Sequence, residues 1–210
     1  VRRLVLIRHG RTTWNAEGRF QGQADPPLDS VGERQATLVA AAVAPLRPAV
    51  VLSSDLRRAM TTAAPLVAAT GARWEIDPAL REVELGAWEG LVHADVQARY
   101  PAEYRDWRAG LPVRRGGGET EQEAGRRAAA RIVVGLASLA IDSTLAVVAH
   151  GLVIQAAIGQ LVSDGLVALD GPPPHLRNGE WVCLDTGSLE GACGEADPTE
   201  ARAQPHLPAS

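Results

Sequence analysis

Two aliphatic runs that each end in a His-Gly pair constrain this chain more than any other feature. Leu4-Val5-Leu6-Ile7 leads through Arg8 into His9-Gly10, and Leu145-Ala146-Val147-Val148-Ala149 leads into His150-Gly151. Unbroken apolar runs of this length read as strands buried on both faces, which calls for a parallel sheet covered by helices. Ligands of such sheets collect beyond the carboxyl ends of the strands. A histidine at one strand end is most simply an ordinary loop residue. Two of them, at two strand ends, predict one shared site.

At 210 residues, 46% of them hydrophobic, the chain can build one substantial core, and a second full domain is not expected. The net charge is −4, and all 21 basic residues are arginines scattered along the chain. That leaves no extended cationic surface for nucleic acid or an anionic membrane, although a small anion needs only a local cluster. No apolar run approaches the roughly 18 residues of a membrane span. Val1-Arg2-Arg3 runs straight into the first strand, so no signal peptide is expected and the expected location is cytoplasmic. Cys183 and Cys193 fit neither a CxxC nor a zinc spacing and are expected as reduced thiols. Oligomeric state is not readable, and a homodimer is compatible with the sequence.

The first strand is followed by a loop of about twenty residues, longer than a simple strand-to-helix link and better suited to binding. Ser30 and Glu33 are spaced as a capping box for a helix over 31–44, which Pro45 and Pro48 end. A strand at 50–52, a helix over 55–69 closed by Thr70-Gly71 and a strand at 73–76 follow. Asp95 to Tyr100 has helical composition, but Pro101, Gly110 and Pro112 break any longer pattern. The aromatic group Tyr100, Tyr104 and Trp107 suits either a lid over a pocket or a packed surface excursion, and residues 91–118 are assigned as a lid. A helix over 119–139, a strand at 145–149, a helix over 152–162 and a strand at 180–184 complete the order. The tail from Gly187 lacks apolar periodicity, and 191–210 is expected to be irregular. Strands alternating with helices predict a three-layer α/β/α fold with a mainly parallel central sheet, in one domain over 1–190.

Six blocks occur in an order that resembles the histidine phosphatase superfamily, also called phosphoglycerate-mutase-like. They are RHGRTTWN (8–15), QGQADPPLDSVGERQA (21–36), SSDLRRAMTTA (53–63), LREVELGAWEG (80–90), GGGET (116–120) and VVAHG (147–151), spanning most of residues 3 to 155. RHG alone is a weak signal; six blocks in sequence are specific. The resemblance implies the fold of that family, a phosphoryl-transfer activity and no cofactor or metal. It also implies that His9 is the nucleophile, that His150 donates to the transferring group and that Arg58, rather than Arg57, lies in the pocket. Asn15 matches a polar phosphate ligand, and Gln21 and Gly22 are implied contacts to phosphate or substrate. SSDLRRA and LREVELGAWEGLVHAD look like blocks of bacterial broad-specificity phosphatases and of glucosyl-3-phosphoglycerate phosphatases. Two departures stand out: Gln155 occupies the position where many members carry arginine, and the tail after Leu184 matches no pattern.

The residue types suit this chemistry independently. Phosphoryl transfer needs an in-line nucleophile and positive charge around the equatorial oxygens. A neutral imidazole at His9 can attack phosphorus, and nearby cations would keep it neutral. Arg8 and Arg58 offer planar forks for phosphate oxygens, whereas Arg57 is expected in a surface ion pair. An alkoxide leaving group requires a proton donor, for which Glu82 is the candidate by its place in the LREVELG block, ahead of Glu84 and Glu89, expected to be structural or solvated. No spacing of histidines and carboxylates suggests a metal.

The expected function is therefore hydrolysis of a small phosphorylated metabolite, a sugar phosphate or phosphoglycerate derivative, through a phosphohistidine. A phosphoglycerate mutase is the alternative, opposed by the 33 residues between Glu82 and Gly116 (83 to 115), short of the insert such mutases carry. A noncatalytic phospholigand-binding protein is the third reading, opposed by the joint presence of Arg8, His9, Arg58, Glu82 and His150.

Overall fold

In the computed structural model, residues 1–187 and 203–204 are described. The sheet is built from β1 (Arg2–Arg8), β2 (Pro48–Ser53), β3 (Arg73–Ile76), β4 (Thr144–Ala149), β5 (Trp181–Thr186) and the two-residue β6 (Ala203–Gln204), in the order β3-β2-β4-β1-β5-β6. β1 and β4 are central and run parallel in a register that sets Arg8 opposite Ala149, so His9 and His150 leave the sheet side by side. β2 and β3 are parallel to them, and β5 runs antiparallel beside β1. The mainly parallel sheet expected from the aliphatic runs is present. The expected irregular tail over 191–210 lies outside the described residues except for β6, which pairs with β5.

Helices cover both faces. α2 (Ser30–Val43) and α3 (Arg57–Thr70) pack together on one side over Val5, Ile7, Val51, Ala146 and Val148. α6 (Glu121–Ala137) and α7 (Gly151–Ser163) pack on the other over Leu4, Leu6, Leu52, Leu145 and Val147. Alternate residues of β1 and β4 thus feed two separate cores, which is why these central strands carry no polar face.

Helix ends show where local chemistry decided the fold. The cap of α2 is Asp29, not Ser30: its Oδ1 accepts the Val31 and Gly32 amides while Oδ2 takes Arg11 Nε, so the Ser30–Glu33 capping box does not form. Asp29 prevails because its two oxygens serve the helix end and an arginine at once. A capping box does open α6, between Thr120 and Glu123. The long loop after β1 holds a one-turn helix, α1 (Thr13–Ala16), itself boxed by Thr12 and Asn15. Pro101 does not break the 91–115 segment but starts a second helix there: α4 (His93–Arg99) is followed by α5 (Pro101–Arg108), with the proline at the first helical position, where its missing N–H costs nothing. Tyr104 and Trp107 of α5 stack around Trp88 and Phe20, with Trp107 5.6 Å from Phe20 and 5.7 Å from Trp88 between ring centroids.

Candidate active site

His9 follows β1 and His150 follows β4, with ring centroids 5.1 Å apart. Each ring is held by one nitrogen. His9 Nδ1 lies 2.7 Å from the Gly10 carbonyl, which can only accept, so Nδ1 carries the proton and Nε2 carries the lone pair. For His150 the relation is reversed: Arg58 Nε donates to Nδ1 over 3.1 Å, leaving the proton on Nε2. That Nε2 is buried without a protein partner. One strand end therefore presents a lone pair, and its neighbour presents a donor.

Both rings are buried, His9 at 2% and His150 at 0% exposure. Burial, followed by the charges of Arg58 and Arg8, holds the His9 pKa well below 6.5 against the opposing pull of its Gly10 hydrogen bond. Burial, then Arg58, His9 and Arg8, does the same for His150. Both are neutral near pH 7.

Arg58 enters from the first turn of α3 and places three of its five N–H donors on protein acceptors, Nη1 on Ala24 O and Nη2 on Gly22 O beside the Nε bond to His150. Burial lowers its pKa to about 10, against the opposing charges of Glu82, Asp25 and Glu89. It remains a cation that shapes the site. Arg8, at the end of β1, donates Nη1 to Leu176 O and leaves Nε buried without a protein partner. Gly151 permits its close approach, since a Cβ there would lie 3.0 Å from Arg8 Cζ.

Glu82 reaches across to the start of α7. Its Oε1 accepts the Val83 and Val153 amides at 3.0 and 2.9 Å, and its Oε2 accepts the Leu152 amide at 3.2 Å. It thereby caps a helix whose own N-cap residue, His150, makes no side-chain cap bond. Asn15 Oδ1 takes the Thr12 amide and hydroxyl and Asn178 Nδ2, which leaves the Asn15 amide group as its ligand-facing donor. Gln21 Oε1 lies 2.8 Å from the same Thr12 hydroxyl, whose single proton the two amide oxygens share.

Arg8, His9, Asn15, Gln21, Gly22, Arg58 and Glu82 all line one cleft of about 150 Å³, and the buried His150 ring, not itself in that lining, lies 5.1 Å from His9. The structure brings together every candidate site residue named from the sequence. Gly22 contributes most visibly through its carbonyl, which holds Arg58. Glu84 is exposed and outside the cleft, and Glu89 is spent on the Gln23 and Leu85 amides. The surface ion pair expected of Arg57 is not found among the described residues; its side chain is exposed, and only its backbone amide is engaged, by Asp25. Gln155, in the arginine position, reaches Pro173 O at 3.4 Å. Residues 91–118 contribute no lining to the cleft but pack against its wall: His93 and Trp107 lie 4.6 and 5.6 Å from Phe20 between ring centroids, and the Phe20 amide donates to Leu91 O. Among the described residues no group of three or more metal-binding side chains occurs, and no helix is long and apolar enough to cross a membrane.

Sequence reasoning missed several contributors. Phe20, Leu85, Leu152, Arg19 and His175 also line the cleft, and Asn178 donates to the His9 carbonyl. Arg127 of α6 clamps the Glu82 loop with five hydrogen bonds, to the carbonyls of Ala79, Arg81 and Glu82 and to both oxygens of Glu119. The two adjacent arginines at 126–127 in an apolar-striped helix were the one available signal for it.

Comparison with known proteins agrees with this geometry. A glucosyl-3-phosphoglycerate phosphatase of Mycolicibacterium vanbaalenii is 35% identical over 193 residues, covering 88% of this chain and 84% of that protein. One from Mycobacterium tuberculosis strain H37Rv is 36% identical over 194 residues, covering 88% and 85%. The solved structure of a mycobacterial glucosyl-3-phosphoglycerate phosphatase complexed with VO3 superposes with a TM-score of 0.78 at 33% identity, over 88% of this chain and 93% of that one. The description of the histidine phosphatase superfamily (branch 1) matches residues 4–193, and the chain belongs to that family.

Proposed function

We infer that the protein is a phosphomonoesterase that hydrolyses a small phosphorylated metabolite through a phosphohistidine at His9. The observation that carries this reading is the Nδ1–H bond from His9 to the Gly10 carbonyl, which leaves the Nε2 lone pair as the nucleophile. Arg8 Nε and His150 Nε2, the two buried donors without protein partners in the site, supply hydrogen bonds to the phosphoryl oxygens. Asn15 and Gln21 add amide donors.

In the first step Nε2 attacks phosphorus in line, the P–O bond to the leaving group breaks, and Glu82 gives that oxygen a proton. Oε2, with its single 3.2 Å contact, is the oxygen free to hold that proton. In the second step Glu82 takes a proton from water, the resulting oxygen attacks phosphorus, the N–P bond breaks and inorganic phosphate leaves. Phe20, Leu85 and Leu152 form an apolar wall and Arg19 and His175 a polar one around the leaving group. The lid expected over 91–118 acts in this reading as the support behind Phe20. The names of the mycobacterial relatives favour a phosphorylated sugar acid as substrate.

The test is rapid-quench labelling with a panel of phosphorylated metabolites that includes 3-phosphoglycerate. Acid-labile, alkali-stable phosphate on the chain, absent from His9→Ala, is expected. Normal hydrolysis by His9→Ala overturns the nucleophile, and accumulation of 2-phosphoglycerate in place of phosphate makes the protein a mutase.

A further inference from the structure

Arg115 is only 2% exposed, yet it makes one hydrogen bond among the described residues, from Nη2 to Glu121 Oε1 at 2.9 Å. Its other donors have no protein partner. The contrast with Arg127 is direct: Arg127 is 25% exposed and makes five bonds. Arg58, 1% exposed, has a partner on each of its three nitrogens. The unpaired Arg115 nitrogens are not among the fully buried atoms that lack a partner, so they face solvent and are open to a ligand. The catalytic cleft does not account for Arg115, since Arg115 does not line it.

Arg115 lines a second cavity, of about 380 Å³, more than twice the catalytic cleft and sharing no lining residue with it. A void of this size falls in the range of small-molecule sites. Its walls are Trp107, Leu111, Pro112 and Val113 on the apolar side and Arg115 and Glu121 on the polar side. The guanidinium carbon lies 6.0 Å from the centre of the Trp107 ring. The cavity lies at the start of α6, whose first residues Glu121 and Gln122 line it. Its backbone is stapled to the Glu82 loop: Glu119 N donates to Glu84 O, and Gly86 and Gly116 approach so closely that a Cβ on Gly86 would lie 2.1 Å from Gly116 O.

We propose that this cavity is a second ligand site, built for a small organic carboxylate with a hydroxylated ring or chain. The spare donors of Arg115 match one carboxylate. A dianionic phosphate is disfavoured, because Glu121 already sits against the same guanidinium and would repel the second charge. Trp107, with the Arg108 and Arg115 guanidinium carbons 5.9 and 6.0 Å from its ring centre, adds apolar surface beside the cations, and Glu121 and Gln122 offer partners for hydroxyls. A sugar acid combines these features.

The test uses the full chain saturated with vanadate, so that the catalytic cleft is filled, and D-glucuronate as the probe, followed through the Trp107 indole N–H resonance. Saturable binding is expected, at least tenfold tighter than that of D-glucose, which lacks the carboxylate. Arg115→Met removes the donors at similar length and should weaken binding at least tenfold. Leu111→Trp fills the cavity from a 54% exposed position, where folding is not at risk, and should do the same. The proposal is overturned if glucose binds as tightly as glucuronate, if no saturable shift appears, or if either folded variant retains full affinity. Glucuronate binding that appears only when vanadate is left out would assign it to the catalytic cleft and overturn the proposal equally.

Discussion

Arg58 Nε donates to His150 Nδ1 over 3.1 Å, and this one bond decides which nitrogen of His150 carries the proton. The same guanidinium holds the carbonyls of Gly22 and Ala24, so the loop after β1, the start of α3 and the end of β4 meet on one side chain. Lysine keeps the charge but not the planar fork. Arg58→Lys should therefore cost about 10² or more in kcat/KM, comparable to losing a preorganised donor. The tautomer is the discriminating readout. ¹⁵N spectra of His150 should move from a single Nε2–H form to a mixture, and an unchanged tautomer with lost activity would reduce Arg58 to a source of charge.

The two buried neutral histidines make stability depend on pH in a definite direction. Their folded-state pKa values lie below the unfolded value of 6.5, so below that pH the unfolded chain binds more protons than the folded one. The contribution is intact above pH 6.5 and is lost as pH falls toward the folded values. With two such groups the slope reaches at most about 2.7 kcal/mol per pH unit. Carboxylates act lower. Glu123, held down to about 2 by the Thr120 amide and Arg114, contributes above its unfolded value and loses this as pH falls through about 2. Urea melts between pH 7.5 and 5 should show the steep fall, and His9→Asn with His150→Asn should flatten it. A flat wild-type profile across that window would contradict the assignment of neutral rings.

Arg127 is a positioning residue: it touches no part of the cleft surface but carries the carbonyls of Ala79, Arg81 and Glu82 on one guanidinium. Arg127→Met leaves those carbonyls and the Glu119 carboxylate without their partner, a loss of about 3 to 5 kcal/mol for a half-buried charged network. Catalytically, the displaced Glu82 loop should lower kcat more than it raises KM. Arg127→Lys should recover part of the stability and less of the kcat, since one ammonium cannot span three carbonyls.

What could be read from the sequence follows from how each residue is constrained. Leu4–Ile7 and Leu145–Ala149 are buried on both faces, so their composition announces strands, and the histidines that end them announce the site. Arg58, Glu82 and Asn15 sit in local blocks whose spacing is fixed by a single turn or loop. His175, Asn178 and Arg19 come from irregular segments whose positions are set only when the chain closes on itself, and no local periodicity marks them. Asp29 and Ser30 were confused because both can cap, and the deciding partner, Arg11, lies 18 positions away. Arg115 and Arg127 resemble any helical or loop arginine until burial and partners separate them.

Glu82 ties the chemistry to the fold, because the carboxylate proposed to move protons is also the cap that holds the Leu152 and Val153 amides at the start of α7. Glu82→Gln keeps an oxygen for one of these amides but cannot carry a proton to the leaving oxygen. General acid catalysis contributes about 10² to 10⁴ in rate where the leaving group is a basic alkoxide. The variant should lose that factor on an alkyl phosphate such as glycerol 3-phosphate and far less on p-nitrophenyl phosphate, whose phenolate departs without a proton. Damage to the helix cap alone would slow both substrates alike, since it would shift His150 and the phosphate donors irrespective of leaving group. The second step separates the roles again: water needs a base to attack the phosphohistidine, so Glu82→Gln with p-nitrophenyl phosphate should release one equivalent of phenolate in a burst and then turn over slowly. An equal loss on both substrates with no burst would remove Glu82 from proton transfer and leave it as the cap of α7.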